Sequence, residues 1–161
     1  MDYIELQEEI QKYYPKVDLL ISSFKKVFLK APSRVELFRN LAPNLSLPPQ
    51  PIITRWGTSL CAATYYSENF KILQNVIEKL DAEESVCVRI AQECFRDINI
   101  EDDLAYIKAN FQIISTIITK LEKRGESLNS TINYIDTVHD VLKSSQGFIG
   151  NAVYSKFIKV F

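Results

Sequence analysis

Arg55 and Trp56 are the adjacent residues in this chain best suited to binding a partner. They follow Thr54 at the end of a proline-rich segment, and Trp56 is the only tryptophan among 161 residues. An arginine guanidinium pairs with phosphate, and an indole ring can stack on an unpaired base for about 1–3 kcal/mol. Thr54, Arg55 and Trp56 are therefore candidate DNA-contacting residues. The alternative is that the lone tryptophan anchors the proline-rich segment to the protein core.

The residues around this motif are basic. Between Lys16 and Leu60 there are seven basic residues and two acidic ones, a net charge of about +5. Residues 78–103 are the reverse, with nine acidic residues against three basic ones. If DNA is bound, we expect the basic part to contact it and the acidic part to face away. The candidate phosphate-contacting residues are Lys25, Lys26, Lys30, Arg34 and Arg39. The alternative is that they form the solvated face of an amphipathic helix.

The remaining titratable residues do not suggest a catalytic or metal site. The three cysteines, Cys61, Cys87 and Cys94, lie in apolar helical patterns, which predicts reduced, buried thiols. No Cys-x-x-Cys motif accompanies the only histidine, His139, so the usual zinc ligands are lacking. His139 is interpreted as a packed structural residue. Residues 101–103 are consecutive acids, which a helix would splay about 100° apart. We expect no metal, no cofactor and no small-molecule substrate.

Apolar residues recur at intervals of three and four along most of the chain, the spacing of one face of an α-helix. Three such stripes begin at Tyr3, Leu104 and Leu128. No segment alternates between apolar and polar residues as a half-buried strand does. The sequence therefore predicts an all-α, irregular helical bundle of about seven or eight helices.

The chain length fits a single domain, 1–161. We expect basic N-terminal helices in 1–41, with a kink or brief break at Pro15 and a cap at Ser33, and a proline-rich connector in 42–53. A helical bundle should follow in 54–161, with one helix ending at Gly125, the next capped by Ser127, and a last helix over 152–161 that Gly147 and Gly150 separate from the one before. No apolar run approaches the length of a membrane span, and the first residues do not form a secretion signal. We expect no membrane partner and a nuclear or cytoplasmic location.

Three segments resemble transposases of the hAT superfamily (hobo–Activator type). The resemblance is carried by residues 28–35 (FLKAPSRV), 54–66 (TRWGTSLCAATYY) and 103–111 (DLAYIKANF), and nearly the whole chain is similar to an internal piece of the family's protein. In that family the tryptophan of the Thr-Arg-Trp motif stabilises a base flipped out during hairpin formation on flanking DNA. The resemblance implies this role for Trp56, with Arg55 supporting the DNA backbone.

The same resemblance implies that the chain is not an active enzyme. The family cleaves DNA with an acidic triad that holds two divalent metals on an RNase H-like sheet. This sequence has neither a predicted strand nor the family's Cys-x-x-His motif, so no catalytic residue carries over. We expect a catalytically inactive, transposase-derived fragment that contacts DNA or associates with a full-length transposase relative. The alternative is a small helical protein-interaction module with no nucleic-acid role.

Overall fold

A computed structural model describes residues 3–49, 58–123 and 125–160, and within these ranges the regular secondary structure consists of nine α-helices without a strand. The all-α prediction is confirmed, with one or two more helices than expected. The helices are α1 Tyr3–Tyr13, α2 Pro15–Phe28, α3 Pro32–Leu41, α4 Thr58–Glu68, α5 Phe70–Glu78, α6 Val86–Arg96, α7 Ile100–Leu121, α8 Leu128–Ser144 and α9 Gly147–Val160.

Pro15 separates α1 from α2, as predicted. Tyr14 leaves the helical conformation with φ −127° and ψ 52°, and Pro15 begins α2, where a missing N–H costs no hydrogen bond. The apolar face continues through this break, because Ile10, Tyr14 and Val17 are all buried. The predicted stripe includes Tyr13, which is only half-buried. Because the helix is interrupted at Tyr14, the buried tyrosine is Tyr14 and not Tyr13.

The predicted start of α3 was wrong by two residues. Ala31 precedes the first helical residue, Pro32, and Ser33 lies inside the helix rather than capping it. The fixed φ of proline suits the first turn of a helix, which decides the start in favour of Pro32. After Leu41, residues 42–49 are non-helical, as expected for the connector. Residues 50–53 lie outside the described part of the chain.

Helix α7 is the centre of the fold. Five residues of its predicted stripe are buried, and only the last, Leu121, is half-buried. The helix packs against α2, α4, α6 and α8, so its apolar face is covered along most of its length. Beside it, the Phe24 ring packs edge-on against the rings of Phe28, Tyr66 and Phe95 at centroid distances of 5.2–5.6 Å. These contacts form the aromatic part of the core.

Helix α8 lies at the edge of the fold. Its predicted cap is confirmed, but its predicted apolar stripe is only partly buried. Ser127 caps it as expected, with its side chain accepting a hydrogen bond from the Ser130 amide at 3.1 Å. Leu128 and Ile132, predicted as core residues, are 77% and 47% exposed. The reason is that α8 contacts mainly α7 and α9, which cover its second half. Val86, the first residue of α6, is likewise apolar and exposed.

Helix α9 starts at Gly147, five residues before the predicted Ala152. Gly150, predicted to separate two helices, lies within α9 and is buried. A Cβ atom added to Gly150 would lie 2.8 Å from the carbonyl oxygen of Ser145. The glycine therefore permits a close approach between the start of α9 and the end of α8, rather than ending a helix.

Candidate nucleic-acid interface

The Thr-Arg-Trp motif lies outside the described residues. The role predicted for Thr54, Arg55 and Trp56 therefore stays a prediction. The structure does describe α4, which follows the motif from Thr58 onward.

Four of the five basic candidates are available for a partner. Lys25 and Lys26 lie in the last turn of α2, Lys30 follows that helix, and Arg39 lies in the last turn of α3. Lys25 is half-buried and the other three are exposed. Within the described ranges, none of the four forms an ion pair with an acid. By contrast, seven other basic residues of the described chain do so: Lys12, Lys16, Arg34, Lys71, Arg96, Lys108 and Lys156.

Arg34, the fifth candidate, is held inside the protein. Its side chain is only 18% exposed. One guanidinium nitrogen, Nη1, donates to the Val27 carbonyl oxygen at 3.2 Å, and Nη2 lies 3.7 Å from the Glu84 carboxylate. Arg34 therefore links the end of α2 to the acidic turn before α6. Its burial and its two partners distinguish Arg34 from the other four candidates.

The acidic segment does not simply face away from the basic one. Helix α2 packs against α6, and Lys16 donates to the Asp97 carboxylate in an ion pair between them. This hydrogen bond lowers the pKa of Asp97 and raises the pKa of Lys16. Part of the charge asymmetry seen in the sequence is therefore neutralised between neighbouring helices.

Asp18 is a polar feature that the sequence analysis missed. It lines a cavity of about 20 Å³ together with Tyr14, Val17 and Ser59. Burial raises the pKa of the Asp18 carboxyl to about 6. Its position directly after buried Val17 was the available signal, because an acid beside an apolar stripe lies at the boundary of the core. The cavity is a small packing defect with one carboxyl group in its wall, and its volume is enough for about one water molecule.

The cysteine prediction is correct for one residue and wrong for another. Cys94 is buried, and burial raises the pKa of its thiol. Cys87 is half-buried, while Cys61 on α4 is exposed. Cys61 lies between the buried residues Leu60 and Ala62 in sequence, so its apolar neighbours do not reveal its exposure. All three are free thiols.

The environment of His139 agrees with a structural role. Its Nε2 lies 3.1 Å from the Tyr154 hydroxyl, and the two rings pack edge-on at 5.6 Å. Its Nδ1 lies 3.2 Å from the Asp140 carboxylate. Across the described ranges, no three metal-ligating side chains cluster together. None of the described helices combines the length and apolarity that a membrane crossing requires.

Comparison with known proteins adds no relative: no family model, no curated protein and no solved structure matches this chain. The resemblance to hAT transposases therefore stays a prediction that depends on the three quoted segments.

Proposed function

We propose that this protein is a catalytically inactive, transposase-derived helical fragment that contacts DNA through its basic N-terminal helices. The observation that supports this best is the basic set of Lys25, Lys26, Lys30 and Arg39, hereafter the N-terminal basic set. These residues form no ion pair with any acid in the described ranges. Cations left without an internal partner are available to phosphate, and each phosphate contact releases a counterion.

The arrangement of this set suits an extended polyanion. Lys25, Lys26 and Lys30 lie within two helical turns of one another in sequence. Arg39 is seven residues beyond Pro32 in α3, which corresponds to roughly 10 Å along the helix axis. The set therefore offers cations from two neighbouring helices, α2 and α3, to a nucleic-acid strand. Lys25 and Lys26 also lie where the helix dipole favours positive charge, which is the competing structural explanation for their presence.

The resemblance adds Arg55 and Trp56 to this proposal. If Trp56 stacks on a flipped base, the protein prefers DNA that already has an unpaired base, because extruding a paired one costs a few kcal/mol. Trp56→Ala should remove that preference and leave the salt dependence nearly unchanged. Arg55→Ala should reduce both the affinity and the salt dependence.

The experiment is fluorescence anisotropy on matched duplex, abasic and single-stranded probes at several salt concentrations. The test variant replaces the N-terminal basic set with glutamine. The control replaces Lys79, Arg89, Lys143 and Lys159, which are also exposed and also form no ion pair with a described acid. Both variants lose the same charge. The test variant should lower the slope of log affinity against log salt by about 3 to 4 on duplex DNA. Equal effects of the two variants, or no binding at low salt, would reject the proposal.

The proposal includes the absence of catalysis, because no catalytic residue of the resembled family carries over. We expect no nicking of plasmid DNA with Mg²⁺ or Mn²⁺. Metal-dependent nicking by purified protein that is abolished by mutating an acid of this chain would reject this part.

A helical protein-interaction module is the second candidate, and exposed apolar side chains favour it. Leu128 and Ile132 form an uncovered stripe on α8, and Phe148 on α9 is 76% exposed. Apolar surface of this kind is typical of helices that bind another helix. Sedimentation velocity over a range of concentrations tests the simplest case, association with a second copy. Association that Leu128→Ser/Ile132→Ser abolishes, combined with no DNA binding, would make this the better account.

A further inference from the structure

An open groove between α4 and the C-terminal half of α7 has the chemistry of a ligand site. Its volume is about 420 Å³, within the range of small-molecule pockets. Cys61 contributes from α4, and Gln112, Thr116 and Thr119 contribute from α7. Lys120 and Lys123 line the same groove. No acidic side chain is among the described residues that line it.

Lys120 is positioned without a carboxylate. Its side chain is half-buried, and its Nζ lies 5.0 Å from the centroid of the Tyr134 ring. A cation–π contact holds an ammonium in place while leaving N–H groups free to donate to an anion. Lys123 is exposed. Neither lysine forms an ion pair with an acid in the described part of the chain. One end of the groove is therefore cationic.

The threonine hydroxyls along the groove are hydrogen-bond acceptors, whereas the lysines at its end are donors. The Thr119 hydroxyl donates to the Ser115 carbonyl oxygen at 2.9 Å, and the Thr116 hydroxyl to the Gln112 carbonyl oxygen at 3.4 Å. Because each hydroxyl has a single proton, these bonds leave its oxygen lone pairs as acceptors. The Gln112 amide can both donate and accept. The groove thus joins acceptors along α7 to cationic donors at its end.

We propose that the groove seats one nucleotide unit of single-stranded nucleic acid. Lys120 and Lys123 would bind the phosphate, and the threonine hydroxyls and Gln112 would bind the donor groups of the base or sugar. This inference rests on the proposed nucleic-acid function but uses residues outside the N-terminal basic set. The groove also adjoins the helix that follows the Thr-Arg-Trp motif, since Cys61 comes five residues after Trp56.

Cys61 provides a direct reporter, because it is the exposed cysteine and it lines the groove. In the Cys87→Ser variant, Cys61 is the accessible thiol, while Cys94 stays buried. A single-stranded oligonucleotide of about ten residues should slow maleimide labelling of Cys61 several-fold. An unchanged labelling rate at saturating oligonucleotide would overturn the proposal. Equal protection by inorganic polyphosphate would overturn the nucleotide assignment, because it would show a general anion site.

Charge variants provide a second measurement. Lys120→Gln/Lys123→Gln should lower the salt slope for single-stranded DNA by about 1.4, the value expected for two phosphate contacts. Lys79→Gln/Lys143→Gln, with the same charge change elsewhere, should leave the slope unchanged. Lys120→Arg/Lys123→Arg should retain binding and the protection of Cys61. A slope that falls equally in both glutamine variants would contradict the assignment.

The two nucleic-acid proposals can fail separately. If the oligonucleotide protects Cys61 while the N-terminal glutamine variant binds like the parent, the groove is supported and the proposed function through α2 and α3 is rejected. If the N-terminal variant loses binding while Cys61 is not protected, the groove is rejected and the proposed function stands.

Discussion

Helices α7 and α8 carry apolar stripes of the same spacing but differ in burial. From Leu104 to Ile118, the stripe of α7 is 0–4% exposed. On α8, Leu142 is fully buried, whereas Leu128 is 77% exposed. Four helices cover α7, and mainly two contact α8. Periodicity therefore shows which face of a helix is apolar, and the number of neighbouring helices decides how much of that face is buried.

We expect α7 and α8 to differ most in the stability lost when an aspartate replaces one apolar residue of each stripe. Ile114→Asp buries a charge at the centre of α7, which costs several kcal/mol against a typical stability of about 5–15 kcal/mol. We expect this variant to be unfolded. Ile132→Asp on α8 should cost about 1 kcal/mol or less, because that side chain is 47% exposed. Urea denaturation of both variants measures the difference. Similar losses would mean that the two helices do not differ as described.

Gly150→Ala tests whether the junction of α8 and α9 is as loosely packed as the exposed first half of α8. The new Cβ would meet the Ser145 carbonyl oxygen at 2.8 Å, a backbone atom that cannot move alone. We expect a loss of about 1–2 kcal/mol despite the better helix propensity of alanine. Asn151→Ala, on an exposed position of the same helix, should be neutral or slightly stabilising. A more stable Gly150→Ala would show that the α8–α9 junction adapts easily.

Tyr66→Phe tests whether a buried hydroxyl group destabilises the core near α7. The Tyr66 hydroxyl is buried and has no hydrogen-bond partner among the described residues. Removing it should stabilise the protein by about 1 kcal/mol, since an unsatisfied buried hydroxyl carries a desolvation cost. Tyr65→Phe is the matched control, because that hydroxyl donates to the Ser46 carbonyl oxygen at 2.5 Å. The control should lose about 1 kcal/mol, and thermal unfolding compares the two.

Asp18→Asn should show a pH-dependent gain. The pKa of Asp18 is about 6 in the folded protein and 3.8 in the reference state, so the folded state binds more protons between these values. The stability contributed by the protonated form is present below about pH 4 and lost as pH rises through 6. An amide at this position does not ionise and avoids this loss. The variant should therefore be more stable than the parent at pH 7 and equal to it at pH 4.

The size of that gain should be modest. The full pKa shift corresponds to about 3 kcal/mol, but the carboxyl is partly exposed, so solvent screening reduces the expected gain to about 1 kcal/mol. Ser22→Ala, on an exposed position of the same helix, changes no titratable group and is the control that should show no such pH-dependent gain. A gain for Asp18→Asn that is the same at pH 4 and pH 7 would contradict the burial of this carboxyl.

The sequence was most informative where local chemistry decides the outcome. The break at Pro15 follows from the missing amide of proline, and the Ser127 cap from its hydroxyl. It was least informative where two distant segments meet. The role of Gly150 depends on the approach of α9 to Ser145. The burial of Arg34 depends on its contacts with Val27 and Glu84, which lie far apart in sequence. The groove beside Cys61 likewise needs α4 to pack next to α7.

What the sequence by itself determined is the helical class, the helix ends set by Pro15 and Ser127, and the apolar face of the long helix α7. These properties depend on contacts within three or four residues, which the spacing records directly. Only the tertiary structure decided which stripes are covered, which cations are neutralised, and which polar side chains share a groove. Those outcomes depend on helices that lie far apart in sequence. The free energy of packing them together is not encoded in the periodicity of any one of them.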